Sequence, residues 1–145
     1  MDVDVARGIA HWAHSGQRDV AGGLTLEHVA RVAAAVPPDA AAAAWLHDVL
    51  TSTAADPGEL CDEGLTPVEL AALELLTRGP GEVYELYVLR IVHAPGEEGR
   101  LARTVMLADL EDRLANGPVD HRAPPYAWAR RHILAAQYRR HEEVV

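Results

Sequence analysis

Four side chains in this sequence of 145 residues combine a type that holds a divalent cation with an apolar setting: His28, the adjacent pair His47-Asp48, and Asp109. The dipeptide alone carries little weight. With 8 histidines and 10 aspartates in the chain, chance supplies roughly half of one such pair. Its setting is more informative, because it falls in the most apolar stretch, 40–50, where an ionisable pair costs several kcal/mol unless something compensates it. Metal coordination is one compensation; a solvent edge or hydrogen bonds to neighbours is the other. His28, in Leu26-Glu27-His28-Val29, and Asp109, in Val105-Met106-Leu107-Ala108-Asp109-Leu110, are likewise ionisable groups among apolar ones. Neighbours on a helix project about 100° apart, so His47 and Asp48 share an ion only if it lies between their directions, with other helices completing the site. Two imidazoles and two carboxylates suit one divalent ion, Mn²⁺ first, with Fe²⁺ or Mg²⁺ as alternatives. Zn²⁺ in a closed four-ligand set would be structural.

Positioning these groups requires helices, and the pattern supplies them throughout. Val5, Ile9, Trp12 and Ala13 recur at helical spacing within 2–15, ending near Ser15-Gly16. A glycine-containing loop follows to Leu24. Thr25 is the expected cap of a helix to about Val36, stopped by Pro37-Pro38. Asp39 is the expected cap of a helix through Leu50 that is apolar nearly all round and therefore central. Asp56-Pro57-Gly58-Glu59 and Thr66-Pro67-Val68-Glu69 each combine a cap, a proline at the first helical position and a glutamate at the third. Further helices are expected over about 82–93, 97–115 and 126–140, the second stopped by Asn116-Gly117-Pro118. Strand alternation and hairpin signals are absent from the pattern. The expectation is one all-α domain, a helical bundle spanning 1–145.

Composition narrows the partners. Alanine, leucine and valine dominate and phenylalanine is absent, so the core is aliphatic and helix-favouring. The net charge of −9, from 13 basic and 22 acidic residues, disfavours nucleic-acid polymers and anionic membranes. The single Cys61 excludes an internal disulfide framework and a cysteine-rich zinc site. With no apolar run of membrane length and no basic start, a cytoplasmic location is expected.

Between about Ala6 and Asp112 the sequence resembles the HD-domain phosphohydrolases, in particular the small hydrolase module of stringent-response (p)ppGpp enzymes. The resemblance rests on Ala10-His11-Trp12-Ala13-His14-Ser15-Gly16-Gln17, Leu26-Glu27-His28-Val29, Ala44-Trp45-Leu46-His47-Asp48-Val49-Leu50, Leu76-Thr77-Arg78 and Leu107-Ala108-Asp109-Leu110, in matching order and spacing. It implies an HD-domain fold, metal ligation by His28, His47, Asp48 and Asp109, and hydrolysis of a phosphate ester or anhydride, with a small phosphorylated molecule, a nucleotide, as partner.

Departures from the pattern fall on the substrate side. The family's Glu-Asp pair after the His-Asp is here Thr51-Ser52, which cannot serve as general bases near neutral pH. The expected catalytic positions are therefore Asp48, Thr51 and Ser52, with Asp48 or the metal left to manage the proton. Val20, Leu24 and Thr25 replace a lysine and a Pro-Tyr pair, Met106 replaces a lysine and Arg113 an asparagine. Arg18 and Arg113 are the expected phosphate contacts, and His14, near the site in the resemblance, is the third expected substrate-binding residue. Tyr84 and Tyr87 either wall a cleft or pack helices. His11 is read as a surface or packing residue, and His93, His121, His132 and His141 form no ligand spacing. Arg130-Arg131 and Arg139-Arg140 make the last helix basic, a solvated face or a contact for the acidic surface of a second copy, that is, a homo-oligomer. The loss of the Glu-Asp pair leaves a second reading, a non-catalytic HD scaffold binding a nucleotide or protein.

Overall fold

The structure, a computed structural model, describes residues 1–19, 22–117 and 123–144, with side chains described through residue 140. Val20, Pro118 and His121, and the side chain of His141, lie outside the described residues. Among the described residues, nine α-helices follow in order: α1 (Val3–Ala13), α2 (Thr25–Ala34), α3 (Ala41–Leu46), α4 (Val49–Ser52), α5 (Pro57–Asp62), α6 (Pro67–Leu75), α7 (Tyr84–His93), α8 (Gly96–Asn116) and α9 (Tyr126–Val144). Among the described residues there is no strand, only an isolated bridge between Arg18 and Leu24, so the expected all-α class holds. None of the described helices is long and apolar enough to cross a membrane.

Short-range chemistry sets most boundaries. The Asp2 carboxylate caps α1 by accepting from the Asp4 and Val5 amides. Thr66 and Glu69 form a reciprocal capping box on α6, and Asp56 accepts from Gly58 ahead of α5, both as the sequence indicates. Thr25 does not cap α2. Leu24 takes that position without a side-chain bond, because its backbone is held extended by the bridge to Arg18, while the Thr25 amide donates to the Gln17 carbonyl at 3.0 Å. Asp39 caps nothing either: it sits inside a 3₁₀ turn, Pro38–Ala40, and its carboxylate accepts from Arg100 on α8 at 2.8 Å.

The central helix also differs from expectation. Instead of running unbroken to Leu50, it stops at Leu46 and resumes at Val49, with His47 and Asp48 in the joint. The His47 ring Nδ1 donates to the Ala44 carbonyl at 2.6 Å, and the His47 amide reaches the same oxygen at 3.4 Å. A side chain that takes a helical carbonyl competes with the next turn's amide for it, so the ladder is interrupted there.

The core gathers on α3. Ala42, Ala43, Ala44 and Leu46 are buried, and α3 packs against α1, α2, α6 and α8. Alanine on both partners, Ala6 and Ala10 of α1 against the alanines of α3, lets these helices approach closely. Behind them α8 carries Leu101, Ala102, Val105, Met106 and Leu110 into the same cluster, joined by Ala129 and Ile133 of α9. Arg103 is only 2% exposed, and its guanidinium donates to the Ile91 and Ala94 carbonyls at the end of α7. Burial lowers its pKa, helped by the charges of Arg140 and Arg100, to about 10.

Candidate metal centre

Two helices, α2 and α8, and the α3–α4 joint bring His28, Asp109 and His47 together, with Asp48 beside His47 at the edge of the group. One donor atom from each of His28, His47 and Asp109 lies within 4.8 Å of the other two. His28 Nε2 is 2.7 Å from Asp109 Oδ1, and His47 Nε2 is 3.3 Å from that same oxygen and 3.4 Å from Asp48 Oδ2. Adjacent donors of a six-coordinate ion at about 2.1 Å stand about 3.0 Å apart, and opposite donors about 4.2 Å. The observed separations, 2.7 to 3.4 Å, bracket the first of those values. The break after Leu46 is what admits Asp48, since it puts both members of the dipeptide beside the helix end.

The protonation pattern favours a cation. With Nδ1 of His47 occupied by Ala44, its buried Nε2 faces the Asp48 and Asp109 carboxylates at 3.4 and 3.3 Å without an aligned hydrogen bond to either. His28 Nδ1 contacts Asp112 Oδ2 at 2.6 Å, which leaves Nε2 as the atom that could bind an ion, in a carboxylate–histidine arrangement of the kind that orients metal ligands. Asp112 is itself clamped by Arg31, at 2.6 and 3.1 Å, and by Asn116 at 3.0 Å. Burial works against charge on His47, but the Asp48 and Asp109 carboxylates outweigh it and raise its pKa to about 9. Burial would likewise raise Asp109, yet contacts with His28, His47 and Arg113 hold its carboxyl well below the usual range. The pocket therefore attracts positive charge, and its donor set fits a borderline or hard divalent ion.

Two clefts meet at this cluster. One, about 220 Å³, runs from His47, Asp48 and Asp109 past Thr51 and Arg113 to Arg78, Met106 and the rings of Tyr84, Tyr87 and Tyr126. The other, about 480 Å³, is polar and includes Gln17, Arg18, Thr25, His28 and Ser52; Asp48, Thr51 and Arg113 border both. Arg113 donates to Asp109 at 3.1 Å and lies over the Tyr126 ring, and Arg78 lies over the Tyr84 ring. Burial, with Asp109 nearby, pushes both Tyr84 and Tyr87 above the usual phenol range, so they face the cleft as neutral groups.

The candidate substrate contacts separate. Arg18 and Arg113 line the clefts; Arg18 is exposed and donates to the Gly22 carbonyl at 2.9 Å. His14 is only 1% exposed and sits behind Gln17, its Nδ1 against Gln17 Oε1 at 2.8 Å, while Gln17 donates to the Ser52 carbonyl. Thr51 and Ser52 are exposed at the cleft. His11 stacks near Trp45, and His132 is held by the Trp128 carbonyl.

Sequence reasoning passed over Asp112 and Tyr126. Asp112 was detectable as the i+3 neighbour of Asp109, with Asn116 four further on, one face of a helix. Tyr126 carried no such signal, because only the packing of α9 on α7 and α8 brings it to the cleft. No protein-family model matches the chain, and no curated protein matches it closely.

Proposed function

We propose that this protein is a metal-dependent phosphohydrolase of the HD-domain kind, acting on a phosphate ester or anhydride of a nucleotide. The observation that carries the reading is the convergence of His28, His47 and Asp109 with Asp48 at their edge, around an imidazole nitrogen that has no other partner. His28, His47, Asp48 and Asp109 would hold the ion, with Mn²⁺ the first choice. A bound divalent ion supplies charge to offset that of the phosphoryl oxygens and makes water more acidic.

The remaining work belongs to the chain's own groups. Arg113 borders both clefts and, with Arg18 on one side and Arg78 on the other, provides cations for a phosphate chain. The tyrosine-lined cleft suits a planar ring, and neutral Tyr84 has a hydroxyl to donate. Thr51 and Ser52 bind or orient through their hydroxyls and do not remove protons, so the carboxylate of Asp48 is the base within reach. That loss of acid–base capacity also motivates the second reading, a scaffold that binds nucleotide and metal without turnover.

Metal analysis of the purified protein, followed by a nucleotide panel with added Mn²⁺, tests both. Stoichiometric metal and phosphate release, each abolished in His47→Ala and Asp109→Ala, are expected. Turnover that persists in a metal-free variant refutes the mechanism, and metal retained without release across the panel selects the scaffold.

A further inference from the structure

On the edge of the molecule formed by α1 and α5 lies a third cavity, of about 280 Å³, that shares no lining residue with the two clefts. Its apolar part is Ile9 and Leu60, and its rim is Trp12, which is 78% exposed. Such exposure of a tryptophan beside an apolar hollow marks a contact surface more than a solvated helix face. Ala55, Asp56, Glu59, Asp62 and Glu63 complete the lining, and none of the four carboxylates makes an ion pair among the described residues. The volume lies just under the range of about 300–1,000 Å³ typical of small-molecule pockets, which suits an inserted side chain.

A complementary surface exists on the same chain. Along α9, Arg131, Ala135, Tyr138 and Arg139 follow the i, i+4, i+7, i+8 spacing of one helical face, and all four are exposed. Tyr138 is 66% exposed. Arg130 is engaged by Glu111 at 3.3 Å, whereas Arg131 and Arg139 make no ion pair among the described residues. Because α9 packs on α7 and α8 while α1 packs on α3, this face does not cover the cavity of its own molecule. We infer that the α9 face of one copy docks into the α1–α5 cavity of a second copy. Tyr138 contributes the apolar insertion, one arginine lies over the Trp12 ring, and the other meets the Glu59–Glu63 edge. The contact joins two different surfaces, so it is heterologous and builds a ring or a chain of copies.

Sedimentation of the full chain over a concentration series tests this independently of metal or turnover. The wild type is expected to form larger species as concentration rises. Arg131→Glu with Arg139→Glu, and separately Glu59→Arg with Asp62→Arg, should each remain monomeric, while an equimolar mixture of the two variants associates again. All four positions are exposed, and unchanged circular dichroism verifies the fold. If the first pair fails to fold, Arg131→Gln with Arg139→Gln is expected to show the same loss. Trp12→Ala should weaken association at least about tenfold. A wild type that stays monomeric at every concentration, variants that associate like it, or a mixture that fails to recover association would each overturn the inference. So would a monomeric wild type that binds a synthetic arginine-rich helical peptide in the cavity, since the occupant would then be a foreign segment.

Discussion

Replacing Asp112 with alanine separates the support of the proposed metal centre from its ligands. The carboxylate accepts from His28 Nδ1 at 2.6 Å, from Arg31 at 2.6 and 3.1 Å, and from Asn116 at 3.0 Å, and its side chain is 9% exposed. Removing it leaves the buried His28 Nδ1 without an acceptor, which costs about 1–3 kcal/mol. Arg31 is nearly half exposed and returns to water, so its ion pair adds no more than about 1 kcal/mol. For a chain of this length the sum lowers the Tm by roughly 3–12 °C, measured in chelator so that metal binding does not enter the comparison. Loss of a partner that orients a ligand should also weaken metal binding about 10- to 100-fold. Calorimetric titration with Mn²⁺, well below the Tm of the variant, reads that effect apart from unfolding. Asp112→Asn keeps the shape and an acceptor oxygen, and should recover most of the stability with a smaller loss of affinity. Wild-type affinity in Asp112→Ala, beside a His28→Ala control that binds nothing, would refute the idea that Asp112 sets the His28 ring.

Other consequences follow from separate parts of the structure. In metal-free protein the raised pKa of His47, about 9 against an ordinary 6.5, contributes stability that is present in full below pH 6.5 and lost as pH climbs through 9. The difference amounts to about 3 kcal/mol, and denaturant unfolding in chelator that is equally stable at pH 6 and above pH 9 would contradict it. A Cβ at Gly99 would lie 2.0 Å from the Ala94 carbonyl oxygen, so Gly99→Ala should destabilise by about 1–3 kcal/mol through a shift of α8 against the end of α7. If the tyrosine-lined cleft takes a nucleobase, Tyr126→Ala should raise KM for a nucleotide by about 5- to 150-fold, the worth of one stacked base, and leave Mn²⁺ affinity unchanged. A variant with unchanged KM would move the ring elsewhere.

Much of the helical framework is legible locally. The Thr66–Glu69 box, the Asp56-Pro57 start and the alanine-rich centre are decided by residues within a few positions of each other, and the structure keeps all three. Where local reading fails, a distant partner has intervened. Thr25 loses its capping role because the bridge from Arg18 holds Leu24 extended at that position, and Asp39 loses its own because Arg100, 61 residues away, takes its carboxylate. The break at His47 was hidden because intrinsic propensity favours continuing an alanine helix; the histidine side chain overrides it by claiming the Ala44 carbonyl.

The candidate site divides in the same way. Residue types and order in the sequence singled out His28, His47, Asp48 and Asp109, because ionisable groups in apolar helices demand a compensating partner. Tertiary packing alone decided that Asp109 lies within 2.7 Å of His28 and 3.3 Å of His47, that Asp112 stands behind His28, and that Tyr126 faces the cleft. Those placements depend on how α2, the α3–α4 joint, α8 and α9 approach one another, and periodicity along one helix carries no information about its distance from the next.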